Sequence, residues 1–318
     1  MSEDRTYLVI GARGFQGAAV ARALLAEGLD VRGFARGSGA PVAGAPELPT
    51  VLGDLAELDD VRKAFVGVTH ASVVLPLVYD VGLVQTYARN VAAAAREAGV
   101  TRLVHNTNTP LPRQVTPYAA YETRRTAEAV LADGVLPTVV LRPPVYLDNL
   151  FSPWNGPALI NDGVLAYPLP EGRRVSWLSH ADLATATLAA LHGEGLEGTV
   201  LSLGGPDTVT GGELAQAFAA ALGRDVAYVP LEADDFEAGL RTVLGTPAAA
   251  GVAGIYRWAG TGGDAELFVA DHDEVEHVLG VRLTPINEWV AAQPWSTWAA
   301  VRSNGAGPPD PVRADHGG

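Results

Sequence analysis

Short apolar runs alternate along the first 150 residues with longer stretches in which apolar positions recur every three or four residues. Tyr7–Ile10, Val31–Ala35, Thr50–Leu52, Ala71–Leu75, Arg102–Asn106 and Thr138–Leu141 read as buried strands. Gln16–Glu27, Leu58–Val66, Val84–Ala98 and Tyr118–Ala132 read as the helices between them, with Ala19, Val20, Ala23 and Leu24 on one face of the first. Gly99 and Asp133-Gly134 stop the last two of these helices, and Pro143-Pro144 stops the sixth strand. Strand and helix in strict alternation predict βαβ units, and therefore an α/β fold with a doubly wound parallel sheet.

The rhythm changes after residue 150. Phe151–Arg174, rich in Pro, Gly, Asn and Trp, reads as an irregular segment able to act as a lid. Beyond it, Arg174–Leu178, Val200–Leu203 and Val226–Val229 read as strands, and His180–Leu191, Ala233–Leu244 and Thr246–Trp258 as helices. Thr210-Gly-Gly-Glu213 has the spacing of a capping box opening a helix that runs to Leu222. The expected organisation is a cofactor domain over 1–150 and a smaller substrate-binding region over 151–300. The strands near 174–178 and 200–203 are candidates to rejoin the first sheet, and a disordered tail is expected over 301–318.

Composition narrows the class. With 318 residues, 48% hydrophobic and 18% charged, the chain can bury a sizeable core. A net charge of -14 repels phosphate backbones and anionic bilayers, so neither nucleic acid nor a membrane surface is an expected partner. The absence of cysteine removes disulfides, thiol nucleophiles and thiolate metal sites. Met1 leads into Ser-Glu-Asp-Arg rather than a basic and then apolar leader, and no apolar run is long enough to span a bilayer; a cytoplasmic location is expected. Asp271-His-Asp-Glu-Val-Glu-His277 contains metal-ligand types, but its histidines are five apart and do not share a helix face. That stretch reads as an acid-capped helix start, and no metal site is expected.

The first strand runs into Gly11-x-x-Gly14-x-x-Gly17 and then a helix. Glycines allow a tight turn and close backbone approach, while a helix N-terminus offers free N–H groups to a pyrophosphate, so the turn reads as a dinucleotide site. The second strand ends in Arg36, not an acid, and Arg13 sits inside the glycine turn. Two guanidiniums suit a 2′-phosphate, which favours NADP(H) over NAD(H). Asp54, in Gly53-Asp54-Leu55 after the third strand, is placed to accept from an adenine amino group.

These features, in order, with Asn90-x5-Arg96-Glu-Ala-Gly-Val-x-Arg-Leu-Val, Leu136-Pro-Thr-x3-Arg142-Pro, Tyr146-x2-Asn149-Leu150, Val175-Ser-Trp-Leu-Ser-His-Ala-Asp-Leu-Ala184 and Leu203-Gly-Gly-Pro-Asp-x2-Thr210, resemble the NmrA-like proteins, atypical short-chain dehydrogenase/reductases, across about residues 5–290. The resemblance implies a Rossmann-type domain with NADP(H) across its strand ends. The contacts it implies are Gly11, Arg13, Gly14, Phe15, Gln16 and Gly17, then Arg36, Asp54, Leu55, Leu75, Pro76, Thr107, Arg124 and Pro143. Ordinary members of the superfamily use Ser, Tyr and Lys, the tyrosine giving a proton and the lysine holding the nicotinamide ribose. This chain has one lysine, Lys63, and its fifth strand ends His105-Asn106-Thr107-Asn108 without a serine. By the resemblance the lysine position holds Arg124 and the tyrosine position Ala120. Tyr121 and Arg125 reproduce the tyrosine–lysine spacing one residue out of register, a rotation of about 100° on a helix.

Hydride transfer needs mainly an oriented nicotinamide and an electrophilic carbon. The expected activity is therefore an NADPH-dependent reduction of a carbonyl, enone or quinone in a bulky aromatic or polyketide-like metabolite. Arg124 would hold the ribose, and Thr107, Asn108 or Tyr121 would polarise the acceptor. Tyr79, Tyr146, Asn149, Trp154 and Trp177 are the candidate substrate wall, while His180 is expected to cap its helix with Asp182. Two alternatives stay open: an NADP(H)-sensing regulator that binds a protein partner without turnover, and a non-redox isomerase or cyclase. The expected partners are a small-molecule substrate and, at most, a second copy of the chain: a monomer or a homodimer.

Overall fold

The computed structural model describes residues 5–37 and 41–299; the tail expected over 301–318 lies outside the described residues. Seven parallel strands form the central sheet in the order β3-β2-β1-β4-β5-β6-β9. They are β1 (Thr6–Ile10), β2 (Asp30–Ala35), β3 (Thr50–Leu52), β4 (His70–Val74), β5 (Arg102–Asn106), β6 (Thr138–Arg142) and β9 (Val200–Ser202). Strand order reverses between β1 and β4, the switch point where open α/β sheets bind ligands beyond the strand ends.

The inner strands β1, β4, β5 and β6 are buried nearly throughout, so both faces of the sheet must be covered. α1 (Phe15–Ala26) and α6 (His180–His192) pack on one face, bringing Val20, Leu24, Leu183 and Leu191 against Val9 and Val104. α2 (Leu58–Phe65), α3 (Val81–Ala98) and α4 (Ala119–Leu131) cover the other, where Phe65, Tyr87, Val91 and Leu131 meet Leu8, Ile10 and Leu103. Helix ends follow the sequence signals: Asp80 caps α3 by accepting from Leu83 N at 2.7 Å, and Gly99 ends it in the left-handed region.

The C-terminal half does not stand apart from the first. α6 packs on α1, and β9 adds the seventh strand beside β6. The strand read at 174–178 does not rejoin that sheet: β8 (Val175–Ser176) pairs antiparallel with β10 (Thr208–Val209). Phe151–Arg174 is more regular than its composition indicated. It holds α5 (Gly156–Asp162) and β7 (Val164–Tyr167), and β7 pairs in parallel with β11 (Ala227–Pro230). The residues that read as loop punctuation are the helix's own ends: Pro157 stands in its first turn and Gly163 is its left-handed C-cap.

The remaining helices are α7 (Gly211–Leu222), α8 (Ala233–Leu244), α9 (Thr246–Gly260), α10 (His272–Leu279) and α11 (Ile286–Ala292). α7 opens on the capping box formed by Thr210 and Glu213, and Asp271 caps α10 by accepting from Glu274 N at 3.1 Å. α7, α8, α9 and α11 contribute to a third core that holds Tyr121, Tyr167, Trp177, Phe218, Tyr256 and Trp289, whereas α10 packs with α6 in the first. Among the described residues no helix is long and apolar enough to cross a membrane.

Candidate dinucleotide and acceptor site

The turn after β1 is shaped for close approach. Gly11 is left-handed (φ +84°), and a Cβ there would lie 2.7 Å from Val74 O; one on Gly17 would lie 2.2 Å from Gly11 O. Only glycine allows the turn to pass the end of β4 and α1 to pack behind it. Gly14 is the N-cap of α1 and supplies no side-chain acceptor, and no acidic residue stands in the first turn. The first N–H groups of the helix are therefore left for an anion. Phe15, at the tip, is 85% exposed, with its ring stacked 6.3 Å from that of His180.

At the β2 end, Arg13 Nη1 donates to Gly37 O at 2.7 Å and to Arg36 O at 3.4 Å, which lays its guanidinium over that strand end. Arg13 Nε is buried without a hydrogen-bond partner, and the Arg36 side chain makes no hydrogen bond or ion pair among the described residues. Asp54 Oδ1 accepts from Ala56 N at 2.9 Å in a local turn. Leu55 turns its side chain into the core, and its carbonyl accepts from Asn90.

Beyond β5 and β6 a polar network forms that single positions in the sequence do not reveal. Gln16 Oε1 accepts from Asn106 Nδ2 at 2.7 Å and from the Tyr146 hydroxyl at 3.0 Å, while its amide nitrogen donates to Asn108 Oδ1. Asn108 N donates to Asn106 Oδ1 at 2.7 Å, and Asn108 is left-handed at φ +67°, a conformation asparagine tolerates better than other non-glycine residues. The network joins α1, β5 and the loop after β6. Beside it the His180 ring lies 4.6 Å from that of Tyr146 and 3.2 Å, Nδ1 to Oδ1, from Asp148. Burial opposes ionisation of Asp148, but the hydrogen bond and charge of His180 hold its carboxyl below the usual range. His180 is thus Asp148's partner and not that of Asp182. Asp182 instead bonds Ser179, the true cap of α6, and Thr284.

Arg124 is the anomaly of the site. Its side chain is 2% exposed, and burial pushes its guanidinium below the usual arginine value. It donates to Pro76 O at 3.2 Å and lies 5.6 Å from the Tyr79 ring centre. It has no carboxylate partner among the described residues, and its Nη1 has no hydrogen-bond partner. Glu128, one turn on, is taken by Arg142 in a two-pronged pair. A buried, unpaired cation is costly unless a ligand completes it. Arg124 and Pro76 stand beside the end of β4.

Several expected site residues are turned elsewhere. The Thr107 hydroxyl is fully buried and donates to Thr109 O at 2.7 Å, so it faces inward and cannot polarise an acceptor. Tyr121 is buried in the third core and donates to Ile255 O at 3.1 Å; burial raises its hydroxyl's pKa far above the ordinary value. Its one-residue offset turns it toward α9, whereas Arg124 reaches the loop after β4. Trp177 packs edge-on against Tyr167 at 5.1 Å and is core. Asn149 donates to the Tyr167 hydroxyl at 3.0 Å, which pairs in turn with that of Tyr256. Trp154 is 41% exposed and packs on Phe236. Tyr79 and Tyr146 are the candidate wall residues that remain beside the strand ends. An open groove of about 590 Å³ lined by Tyr118, Pro168, Pro230, Tyr256 and Arg257 shares no residue with this site.

Comparison with known proteins agrees with this architecture. The model of the NmrA-like family matches residues 3–290. An NAD(P)H azoreductase of Xenophilus azovorans is 30% identical over 245 residues, 76% of this chain and 82% of the relative. Quinone oxidoreductase 2 of Escherichia coli is 30% identical over 169 residues, 52% of this chain and 56% of the relative. In three dimensions the triphenylmethane reductase of Citrobacter sp., solved with NADP(H), superimposes with a TM-score of 0.70 at 24% identity, covering 90% of this chain and 98% of that one.

Proposed function

The chain belongs to the NmrA-like family, and on that premise we propose that it is an NADP(H)-dependent reductase of flat, conjugated acceptors, quinones above all. The observation that carries this reading is Arg124: a buried guanidinium with, among the described residues, no counter-ion and one free nitrogen, beside the end of β4. Similarity to an azoreductase, a quinone oxidoreductase and a triphenylmethane reductase supports the acceptor class. The glycine turn and the uncapped start of α1 fit a pyrophosphate, and Arg13 with Arg36 fits a 2′-phosphate.

When bound, NADPH would supply the hydride. The protein's part is to hold and orient. The α1 N–H groups would hold the phosphates and Arg124 the ribose end, while the Gln16 network ties the loop after β6 to the first turn of α1. The departures from the Ser-Tyr-Lys pattern, Ala120 and Arg124, leave no proton donor on α4 at the usual place. A guanidinium donates hydrogen bonds well but does not release a proton near neutral pH.

The test is direct. Purified protein should bind NADPH and consume it, followed at 340 nm, on addition of 2-methyl-1,4-naphthoquinone. Tight NADPH binding with no turnover of quinone, azo or triarylmethane acceptors would instead favour the non-turnover alternative.

A further inference from the structure

We propose that Tyr79, in the loop after β4, is the proton donor to the reduced acceptor, with Arg124 as the cation that receives its phenolate. This inference rests on the reductase reading and supplies what that reading lacks. The tyrosines around the strand ends differ in one respect. Tyr121 gives its hydroxyl to Ile255 O, Tyr146 to Gln16, and Tyr167 and Tyr256 bond each other. The Tyr79 hydroxyl makes no hydrogen bond among the described residues, although most of the side chain is buried. The Tyr79 oxygen is not one of the fully enclosed polar atoms left without a partner, so solvent reaches it and its hydrogen is free for a ligand oxygen.

The ring cannot drift. A Cβ on Gly251 of α9 would lie 2.0 Å from Tyr79 Cε2 and 2.5 Å from its Cζ, so the helix backbone lies directly against the ring edge. Arg124 stands on the ring's face at 5.6 Å. Burial pushes the phenol up to about 12 while Arg124 pulls it down, so Tyr79 stays protonated through the neutral range and holds a proton to give. Among the described residues Arg124 has no counter-ion, and a phenolate would be that counter-ion. The chain thus keeps a tyrosine and a cation but draws the tyrosine from the loop after β4 rather than from α4.

The step balances. The acceptor carbon of the conjugated system takes a hydride, with its two electrons, from NADPH. The Tyr79 O–H bond breaks and a new O–H bond forms on the acceptor oxygen. The phenolate faces Arg124 until water returns a proton. A quinone needs both hydride and proton. A cationic triarylmethane dye needs hydride alone, because hydride on its central carbon already gives the neutral leuco form.

That difference is the experiment. Rates with 2-methyl-1,4-naphthoquinone and with malachite green are measured for the wild type and Tyr79→Phe, with NADPH affinity followed by fluorescence. The ratio of quinone rate to dye rate should fall about a hundredfold in Tyr79→Phe, the lower end of general acid catalysis, with NADPH affinity within about twofold. Gly251→Ala, which displaces the ring and keeps the phenol, should lower the same ratio. An unchanged ratio in Tyr79→Phe, or two rates that fall together, would make Tyr79 a wall of the site and overturn the proposal. A wild type that reduces neither acceptor overturns the reductase reading itself, a result distinct from either.

Discussion

Tyr146 donates its hydroxyl hydrogen to Gln16 Oε1 across 3.0 Å, tying the loop after β6 to the first turn of α1. The same oxygen accepts from Asn106, so one side chain holds three elements at the place where a dinucleotide would lie. Tyr146→Phe removes one hydrogen bond and no volume in the core. It should weaken NADPH binding about fivefold, the worth of about 1 kcal/mol. The ratio of quinone to dye rates should stay as in the wild type, because this tyrosine's proton is already committed. A collapse of that ratio would assign the proton to Tyr146 and not to Tyr79.

Arg124 should set function against stability. Replacing a buried, unpaired cation by an apolar side chain of similar length removes a desolvation cost and loses one backbone hydrogen bond to Pro76. Arg124→Met should therefore melt at the same temperature as the wild type or higher in the absence of cofactor. Its affinity for NADPH should fall at least about tenfold, since charge-assisted hydrogen bonds are worth about 1.5–3 kcal/mol. Calorimetry of both states measures this. A variant that melts much lower and binds NADPH normally would show that Arg124 serves the fold alone.

Cofactor preference should follow the two arginines at the end of β2. Arg13 is held over the Arg36–Gly37 backbone, and the Arg36 side chain has no hydrogen-bond or ion-pair partner among the described residues, which leaves two guanidiniums at one strand end. NADPH should bind at least about tenfold more tightly than NADH. Arg36→Ala should weaken NADPH and leave NADH nearly untouched, as titration of both cofactors would show. Equal affinities in the wild type would remove the assignment.

The sheet and the glycine turn were legible because local signals and tertiary structure agree there. A β-branched run is a buried strand, and Gly11 and Gly17 sit where a Cβ would collide with backbone. What was not legible depends on contacts far apart in sequence. Thr107 reads as a polar residue at a strand end, but its hydroxyl turns back to Thr109 O. Tyr121 reads as a shifted catalytic tyrosine, but the same shift of register turns it into the third core. Tyr79 owes its position to Gly251, more than 170 residues on, and no period or spacing links the two. Asn-Asp-Gly at 161–163 was legible only as a break; whether a break ends a helix or begins a loop depends on what precedes it.

The last prediction concerns pH. His105 on β5 is fully buried, and burial lowers its pKa to about 4, against the contrary pulls of Glu128 and the Val73 carbonyl. His70, in the neighbouring strand β4, is likewise lowered to about 4, first by burial and then by Arg5. Both are neutral in the fold, whereas in the unfolded chain they titrate near the ordinary histidine value of about 6.5. Between those values the unfolded state binds more protons, so stability rises with pH through this window and is lost as pH falls from about 6.5 toward 4. Above pH 7 the contribution is level. For His105 the full loss is about 3 kcal/mol. Urea midpoints at pH 7.5, 6 and 5 should therefore fall steadily. His105→Leu, which cannot take up the proton, should flatten the slope in part, with His70 and His192, whose pKa values burial also lowers, keeping some of it. Parallel slopes in the variant and the wild type would mean that His105 is reached by solvent before the fold is lost, and that the acid sensitivity arises elsewhere.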